Sequence, residues 1–199
     1  MDAAAARTSF EIERVAIIGA GVAGRSFALA CAAAGFDVVL EDVMPAKLRR
    51  AEADFADLRL RAAAGRLELA STVEDAVRTA DLAVDFVPDE LESKLEIFSM
   101  IDRMAPPKTI LCTPSYALSI TDLASCVYRP ERCFAVRGDL VRGDASVAPV
   151  VRLLYPAATL ESVVETVRVF LRSLGVAVQV EADPDEPVLR KNASSSVTR

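Results

Sequence analysis

The segment VAIIGAGVAG, from Val15 to Gly24, restricts the fold of this 199-residue chain more than any other. Its first four residues are apolar and predict a short buried strand, and the residues after Gly24 predict a helix. Three glycines stand between them in the spacing G-x-G-x-x-G. In this context the first glycine permits a tight turn, the second lets a pyrophosphate approach the backbone, and the third lets the helix pack against the strand.

A helix that starts at such a turn presents free N–H groups and the positive end of its dipole to an anion. The turn therefore predicts a dinucleotide site, and a glycine-rich turn without a ligand is the alternative. The predicted contacts in the turn are Gly19, Gly21, Val22, Ala23 and Gly24.

A carboxylate follows the turn at the distance that dinucleotide sites use. The second predicted strand, Phe36–Asp42, ends in an acid roughly 20 residues after the glycines. A carboxylate there hydrogen-bonds the adenosine ribose hydroxyls and disfavours a 2′-phosphate, so Asp42 indicates NAD rather than NADP. Glu41 is the alternative ribose ligand, and a solvated acid at a strand end is the alternative role for Asp42.

Strands and helices alternate along the predicted chain, which favours an α/β, Rossmann-like, doubly wound and mostly parallel sheet with helices on both faces. The predicted strands are Arg14–Ile18, Phe36–Asp42, Arg66–Ala70, Asp81–Pro88, Thr109–Thr113, Cys133–Val136, one within Val147–Tyr155, and Val176–Val180. The predicted helices are Val22–Ala34, Ala46–Ala64, Glu90–Met104, Ser119–Cys126, one from a Ser71–Glu74 capping box to Ala80, and one from a Thr159 cap to Leu174.

The predicted domain organisation has three parts. Residues 1–13 form a flexible leader, residues 14–182 form one dinucleotide-binding domain, and residues 183–199 form a polar tail. Ligands of such sheets bind beyond the carboxyl ends of the strands. The further residues expected there are Val87, Pro88, Asp89 and Ser115.

Composition excludes several classes of chemistry. The chain contains no histidine, so no imidazole acid or base acts in it. Its four cysteines form no C-x-x-C pair, which predicts reduced thiols and no metal site. A net charge of −6 without a basic cluster argues against nucleic acid. No apolar run is long enough to span a bilayer and no secretory signal opens the chain, so we expect a cytoplasmic protein that does not bind membranes.

Four segments carry a resemblance to a known family: VAIIGAGVAGRSFALACAAAGFDVVLED, ADLAVDFVPDELESKLEIFSMID, ILCTPSYALSITDLA and RPERCFAV. From Val15 to about Arg190 the chain resembles the N-terminal, NAD-binding domain of the 3-hydroxyacyl-CoA dehydrogenases. The resemblance implies a Rossmann-like domain that binds NAD through its three glycines and Asp42. It also implies that Asp89 and Lys94 lie near the cofactor. In the family a helical dimerisation domain follows, which is absent from this sequence.

The sequence departs from the family where the family performs catalysis. The Asn-Thr-Ser-Ser motif is replaced by Pro-Ser-Tyr-Ala, which places Tyr116 at the substrate-binding serine. The catalytic histidine aligns with Arg137, and its glutamate partner aligns with Arg152. A guanidinium stays protonated at neutral pH and offers no lone pair to a proton. The family reaction on acyl-CoA is therefore not expected.

Three functional hypotheses follow. In the first, the chain is an NAD(H)-binding oxidoreductase for a small anionic hydroxy or oxo compound. Tyr116 is its acid/base, with a pKa lowered by Lys94 or an arginine, and Arg137, Arg142 and Arg152 clamp the substrate. The alternatives are an aromatic plug for Tyr116 and surface charges for the arginines.

In the second hypothesis the chain is a catalytically inactive NAD-binding subunit or sensor. Loss of the helical domain leaves apolar surface on one flank, which a second copy of the chain or a partner subunit would cover. The third hypothesis is non-redox catalysis in the same pocket, such as decarboxylation, and nothing in the sequence favours it.

Overall fold

The protein was examined as a computed structural model that describes residues 11–61, 64–116, 118–140 and 148–183, with Arg61 described by its backbone alone. Its strands are β1 (Arg14–Ile18), β2 (Asp37–Glu41), β3 (Leu67–Ala70), β4 (Leu82–Asp85), β5 (Ile110–Pro114), β6 (Cys133–Arg137), β7 (Val150–Tyr155) and β8 (Ala177–Ala182). Its helices are α1 (Val22–Ala33), α2 (Pro45–Arg61), α3 (Val73–Val77), α4 (Leu91–Met104), α5 (Ile120–Ala124) and α6 (Glu161–Ser173), and a 3₁₀ turn covers Pro130–Arg132.

All of these strands form one sheet in the order β3-β2-β1-β4-β5-β6-β7-β8. Neighbouring strands are parallel except for the antiparallel pair β6–β7. The chain leaves β1 in one direction across the sheet and returns to β4 on its other side, which opens a crevice at the carboxyl ends of β1 and β4. The predicted Rossmann-like, mostly parallel α/β fold is confirmed.

The core has two halves, one on each face of the sheet. Along β1, Val15 and Ile17 pack with α1 and α6 on one face, whereas Ala16 and Ile18 pack with α3, α4 and α5 on the other. A parallel strand with both faces covered must be apolar throughout, which explains the uninterrupted run in the sequence. On the first face the ring of Phe170 packs edge-on to Phe36 and Phe27.

Two predicted helix N-caps are each wrong by one residue. Helix α3 is capped by Thr72 and not by Ser71, because the Thr72 hydroxyl accepts a hydrogen bond from the Asp75 N–H at 3.2 Å. Helix α6 begins at Glu161, with Leu160 and not Thr159 at its cap position. At the start of α3 Ser71 and Thr72 stand side by side, each with an acid three residues later, so the spacing of acids alone does not choose between them.

One residue of the predicted leader and one of the predicted tail are buried. Ile12, in the predicted leader, lies in the core. Asp183, in the predicted tail, accepts hydrogen bonds from the Ser119 hydroxyl and the Thr121 N–H, each at 2.8 Å. These two residues therefore pack with the predicted domain, and residues 1–10 and 184–199 lie outside the described part. No helix within the described ranges is long and apolar enough to cross a bilayer.

A buried arginine joins the end of α4 to the turn before β6. The Arg129 guanidinium contacts the Asp102 carboxylate at 2.6 Å and also donates to the carbonyls of Asp102, Ala105 and Pro106. The other oxygen of Asp102 accepts from the Tyr128 N–H at 2.8 Å. Because the Asp102 side chain is only 2% exposed, its charge depends on these partners.

Arg129→Ala should therefore lower the free energy of unfolding by about 3–5 kcal/mol, since it leaves the Asp102 carboxylate buried without its cation. Urea denaturation followed by circular dichroism measures the change. Arg78→Ala is the matched control, because it removes an exposed ion pair with Asp75 and should leave stability close to that of the wild type. Equal stability of the two variants would contradict the structural role of Arg129.

Candidate functional site

The three glycines of the turn have three different environments. Gly19 has a φ of +100°, a left-handed conformation that favours glycine, and its N–H donates to the Glu41 carbonyl at 2.8 Å. A Cβ on Gly24 would lie 1.9 Å from the Gly19 carbonyl oxygen, so only glycine permits this approach of α1 to β1. A Cβ on Gly21 would meet nothing within 4 Å, which leaves open space beside the backbone. These are the environments that the three predicted roles require.

The start of α1 is open to an anion. Its N-cap residue is Gly21, which has no side chain to satisfy the first N–H groups, and its first turn holds no acid. Val22 and Ala23 are exposed there. Helix α3, by contrast, has both a side-chain cap and acids in its first turn. Free N–H groups and an uncompensated helix dipole are what a pyrophosphate needs, so this turn suits a dinucleotide.

Asp42 lies against the glycine turn. Its carboxylate accepts hydrogen bonds from the N–H groups of Ala20 at 2.9 Å and Met44 at 2.8 Å, and from the Lys47 ammonium at 2.9 Å. Burial alone would raise the pKa of Asp42, but the bonds from Lys47, Met44 and Ala20 outweigh burial and hold the pKa below its ordinary value. The alternative of a solvated acid is therefore wrong, because Asp42 is only 5% exposed.

Glu41 occupies a different position from its neighbour. Its backbone carbonyl contacts the turn by accepting from Gly19, and its side chain is buried. Burial and the adjacent charge of Asp42 raise the pKa of Glu41, against the opposing charge of Lys47. Between the two acids, Asp42 is the one whose carboxylate bonds to the turn.

A buried ion pair lies beneath the crevice. The Lys94 ammonium is 2.6 Å from the Asp85 carboxylate and 3.3 Å from the Pro114 carbonyl, and both charged side chains are at most 1% exposed. Burial raises the pKa of Asp85, and the charge of Lys94 opposes the shift. Lys94 therefore connects α4 to the ends of β4 and β5 from inside the protein, and its ammonium is engaged by Asp85 rather than by Tyr116.

Asp85 is not among the site residues predicted from the sequence. The signal was present, because an acid that ends a strand of otherwise buried apolar residues needs a cation, and Lys94 follows nine positions later. A charged pair separated by a turn is recognised as a pair only when the strand and helix are placed side by side.

The loops after β4 and β5 are joined to each other. The Asp89 carboxylate accepts a hydrogen bond from the Tyr116 N–H at 3.0 Å. Ser115 is fully buried, and its hydroxyl accepts from the Leu118 N–H at 3.1 Å. Val87 is half-buried and Pro88 is exposed in the first of these loops. The predicted residues Val87, Pro88, Asp89 and Ser115 thus share the carboxyl edge of the sheet.

Arg137 holds the loop after β5. Its guanidinium donates to the carbonyls of Ser115 at 3.1 Å and Leu118 at 3.2 Å. The next residue, Gly138, donates its N–H to the Tyr116 phenol oxygen at 2.9 Å. The structure therefore brings Tyr116 and Arg137 together at one loop. The Tyr116 side chain is not a buried plug, because the residue is 67% exposed.

Arg152 forms an ion pair with a residue of β8. It lies directly opposite Arg137 in the register of β6 and β7, but its Nε and Nη2 contact the Glu181 carboxylate of β8 at 3.2 Å and 2.5 Å. The hydrogen bond from Arg152 lowers the pKa of Glu181. The predicted clamp of arginines is thus divided between a loop and a neighbouring strand, and Arg142 lies outside the described residues.

The profile of the 3-hydroxyacyl-CoA dehydrogenase NAD binding domain matches residues 14–183. The chain belongs to this family. NAD is accordingly the cofactor of the domain, and the family resemblance carried by the glycine turn is confirmed. The chain itself has no histidine.

The relatives of this chain are named for different substrates. It is 29% identical to a probable 3-hydroxybutyryl-CoA dehydrogenase of Bacillus subtilis, over 87% of this chain and 64% of the relative. It is 28% identical to 5-formyl-3-hydroxy-2-methylpyridine 4-carboxylate 5-dehydrogenase of Mesorhizobium japonicum, over 83% of this chain and 56% of the relative. A crystal structure of a 3-hydroxyacyl-CoA dehydrogenase from Archaeoglobus fulgidus superposes with a TM-score of 0.71 at 29% identity. The superposition covers 92% of this chain and 60% of that structure. The chain spans less than two thirds of the length of each relative.

The two glycines with opposite environments give a paired prediction. Gly24→Ala should lower the free energy of unfolding by about 3 kcal/mol, because its Cβ would collide with the Gly19 carbonyl. Gly21→Ala has room for its Cβ, so it should stay folded within about 1 kcal/mol. It should nevertheless weaken NADH binding about tenfold or more, because the methyl group stands where the phosphates approach. Thermal denaturation and NADH fluorescence titration measure the two effects, and unchanged NADH affinity in Gly21→Ala would contradict the assignment of the turn.

Lys94→Met should destabilise the protein by about 3–5 kcal/mol at pH 7, because it leaves the Asp85 carboxylate buried without a cation. A carboxyl whose pKa is raised by folding stabilises the protein below its unfolded pKa and loses that contribution as pH rises through the folded pKa. The deficit of Lys94→Met should therefore shrink as pH falls toward the carboxyl range. The double variant Lys94→Met/Asp85→Asn should recover stability at pH 7 and retain NADH binding. A double variant that folds but does not bind NADH would show that Lys94 contacts the cofactor.

Proposed function

We propose that this chain binds NAD(H) at the carboxyl edge of the sheet and, by itself, does not catalyse the 3-hydroxyacyl-CoA dehydrogenase reaction. The observation that carries the proposal is the occupation of both dyad positions by arginines with structural partners. Arg137 is bonded to the Ser115 and Leu118 carbonyls, and Arg152 is bonded to Glu181.

The residues at the edge of the sheet suit the parts of the dinucleotide in order. The first turn of α1, with Gly19 and Gly21, would hold the pyrophosphate, and Asp42 would hold the adenosine ribose. The loops after β4 and β5 would border the nicotinamide, through residues that include Asp89 and Ser115. When bound, NAD supplies a site for reversible hydride transfer, and everything else must come from the protein or the substrate.

The step that these residues do not support is proton transfer. Oxidation of a hydroxyl group requires a base that removes the O–H proton. A guanidinium remains protonated, so Arg137 and Arg152 supply no lone pair for that proton. Their hydrogen bonds to backbone carbonyls and to Glu181 occupy the Nε and Nη2 edge of each guanidinium, which is one of the edges that can bind a carboxylate bidentately.

A dinucleotide-binding chain without this proton transfer acts as an NAD(H)-responsive subunit or sensor. Its partner would be a second copy of the chain or another subunit. More than a third of the length of each of two relatives lies outside the region that this chain matches.

A second candidate function rests on Tyr116. Its phenol oxygen accepts a hydrogen bond from the Gly138 N–H, which leaves the phenol O–H free to donate to a substrate oxygen. The ring is exposed at the carboxyl end of β5, beside the expected nicotinamide position. In this function the chain reduces or oxidises a small anionic compound with Tyr116 as the proton donor. Relatives that act on a pyridine carboxylate and on carnitine show that the family accommodates small polar substrates.

The 199-residue chain should bind NADH saturably in a fluorescence titration and should form no NADH from NAD and 3-hydroxybutyryl-CoA. Turnover of this substrate would contradict the first proposal.

A panel of 2-oxo and 3-oxo acids with NADH tests the second candidate. If an oxo acid is reduced, Tyr116→Phe should lower kcat by about 10²–10⁴-fold, the usual contribution of a general acid. Unchanged turnover in Tyr116→Phe would exclude Tyr116 as the donor, and absence of NADH binding would contradict both functions.

A further inference from the structure

Lys47 stands beside the carboxylate that is expected to bind the adenosine ribose. Its Nζ lies 2.9 Å from Asp42 Oδ2, which also accepts from the Ala20 N–H of the glycine turn. The Asp42 side chain is 4% exposed, whereas that of Lys47 is 42% exposed. The ammonium therefore lies on the solvent side of the carboxylate, where a ligand would approach.

An unpaired aspartate at this position rejects NADP because a 2′-phosphate would face a full negative charge. Here that charge is balanced by an ammonium at contact distance. Two backbone N–H groups, those of Ala20 and Met44, also donate to the same carboxylate. The repulsion that a 2′-phosphate meets should therefore be much weaker than at an unpaired aspartate.

Lys47 can also attract a phosphate directly. An ammonium has three donors, and among the described residues only Asp42 accepts from Lys47, so further donors are available on a flexible, partly exposed side chain. Lys47 lies in the first turn of α2, where no acid offsets the positive end of the helix dipole. NADP-binding sites of this fold place a cation at the same end of the dinucleotide.

We propose that Lys47 is a specificity-determining residue that makes the ribose end of the site tolerant of a 2′-phosphate, so that the chain binds NADP(H) as well as NAD(H). The inference rests on the proposed binding of the dinucleotide at the glycine turn. It revises the expectation, drawn from Asp42 alone, that the chain distinguishes strongly between the two cofactors.

The test compares the Kd values of NADH and NADPH for the wild type and for Lys47→Met, which keeps most of the side-chain length without the charge. In the wild type the two values should agree within about tenfold. Lys47→Met should raise the Kd of NADPH about tenfold or more, while the Kd of NADH changes by less than about threefold. Lys47→Arg should retain NADPH binding. Added salt should weaken NADPH binding more than NADH binding in the wild type.

The chain offers a matched control on the opposite edge of the sheet. Lys108 contacts the buried carboxylate of Asp81 at 2.5 Å, much as Lys47 contacts Asp42. Lys108→Met removes the same charge from an equivalent pair and should leave the ratio of the two Kd values unchanged. Thermal denaturation of each variant confirms that it is folded.

Each outcome of these measurements either supports or overturns the inference. A Lys47-specific rise in the Kd of NADPH supports the inference. Wild-type NADPH binding more than about a hundredfold weaker than NADH binding overturns it. Equal losses for both nucleotides in Lys47→Met, or equal effects of the two lysine variants, also overturn it. Failure of the wild type to bind either nucleotide overturns the proposed function together with this inference, whereas binding of NADH alone overturns only the inference.

Discussion

The close approach of helix α1 to strand β1 is the constraint on which the site depends. A side-chain carbon on Gly24 would lie 1.9 Å from the Gly19 carbonyl, so the helix reaches its position only because Gly24 lacks a side chain. That position leaves the uncapped start of α1 at the carboxyl edge of the sheet. The Ala20 N–H of the turn lies 2.9 Å from Asp42, which holds this carboxylate against the glycine turn. The dinucleotide half of the site is thus built from backbone geometry and one carboxylate.

The other half of the site carries two arginines. Arg137 on β6 and Arg152 on β7 lie directly opposite each other. Two guanidiniums side by side would repel each other, and each has a partner that relieves the repulsion. Arg137 donates to carbonyls of the loop after β5, and Arg152 pairs with Glu181 on the next strand. These partners are the basis of the proposal that neither arginine takes part in proton transfer.

Local patterns predicted most of the fold, and they also predicted the strand, glycine turn and helix with which it begins. The buried run of β1, the glycine spacing and Asp42 are neighbours in sequence, so periodicity and spacing reveal them. The contacts that the sequence did not reveal join residues far apart along the chain, such as Asp85 with Lys94 and Arg137 with the Ser115 carbonyl. An arginine that binds a substrate and one that binds a loop have the same sequence signature. Only the placement of the loops distinguishes these roles.

A crystal structure of the 199-residue chain in complex with NADH would test the central claim most directly. The account predicts that the pyrophosphate lies on the first turn of α1, with the adenosine ribose at Asp42. It also predicts that Arg137 remains bonded to the Ser115 and Leu118 carbonyls. A dinucleotide bound away from the glycine turn would contradict the account, and so would an Arg137 side chain released from the loop and directed at the nicotinamide.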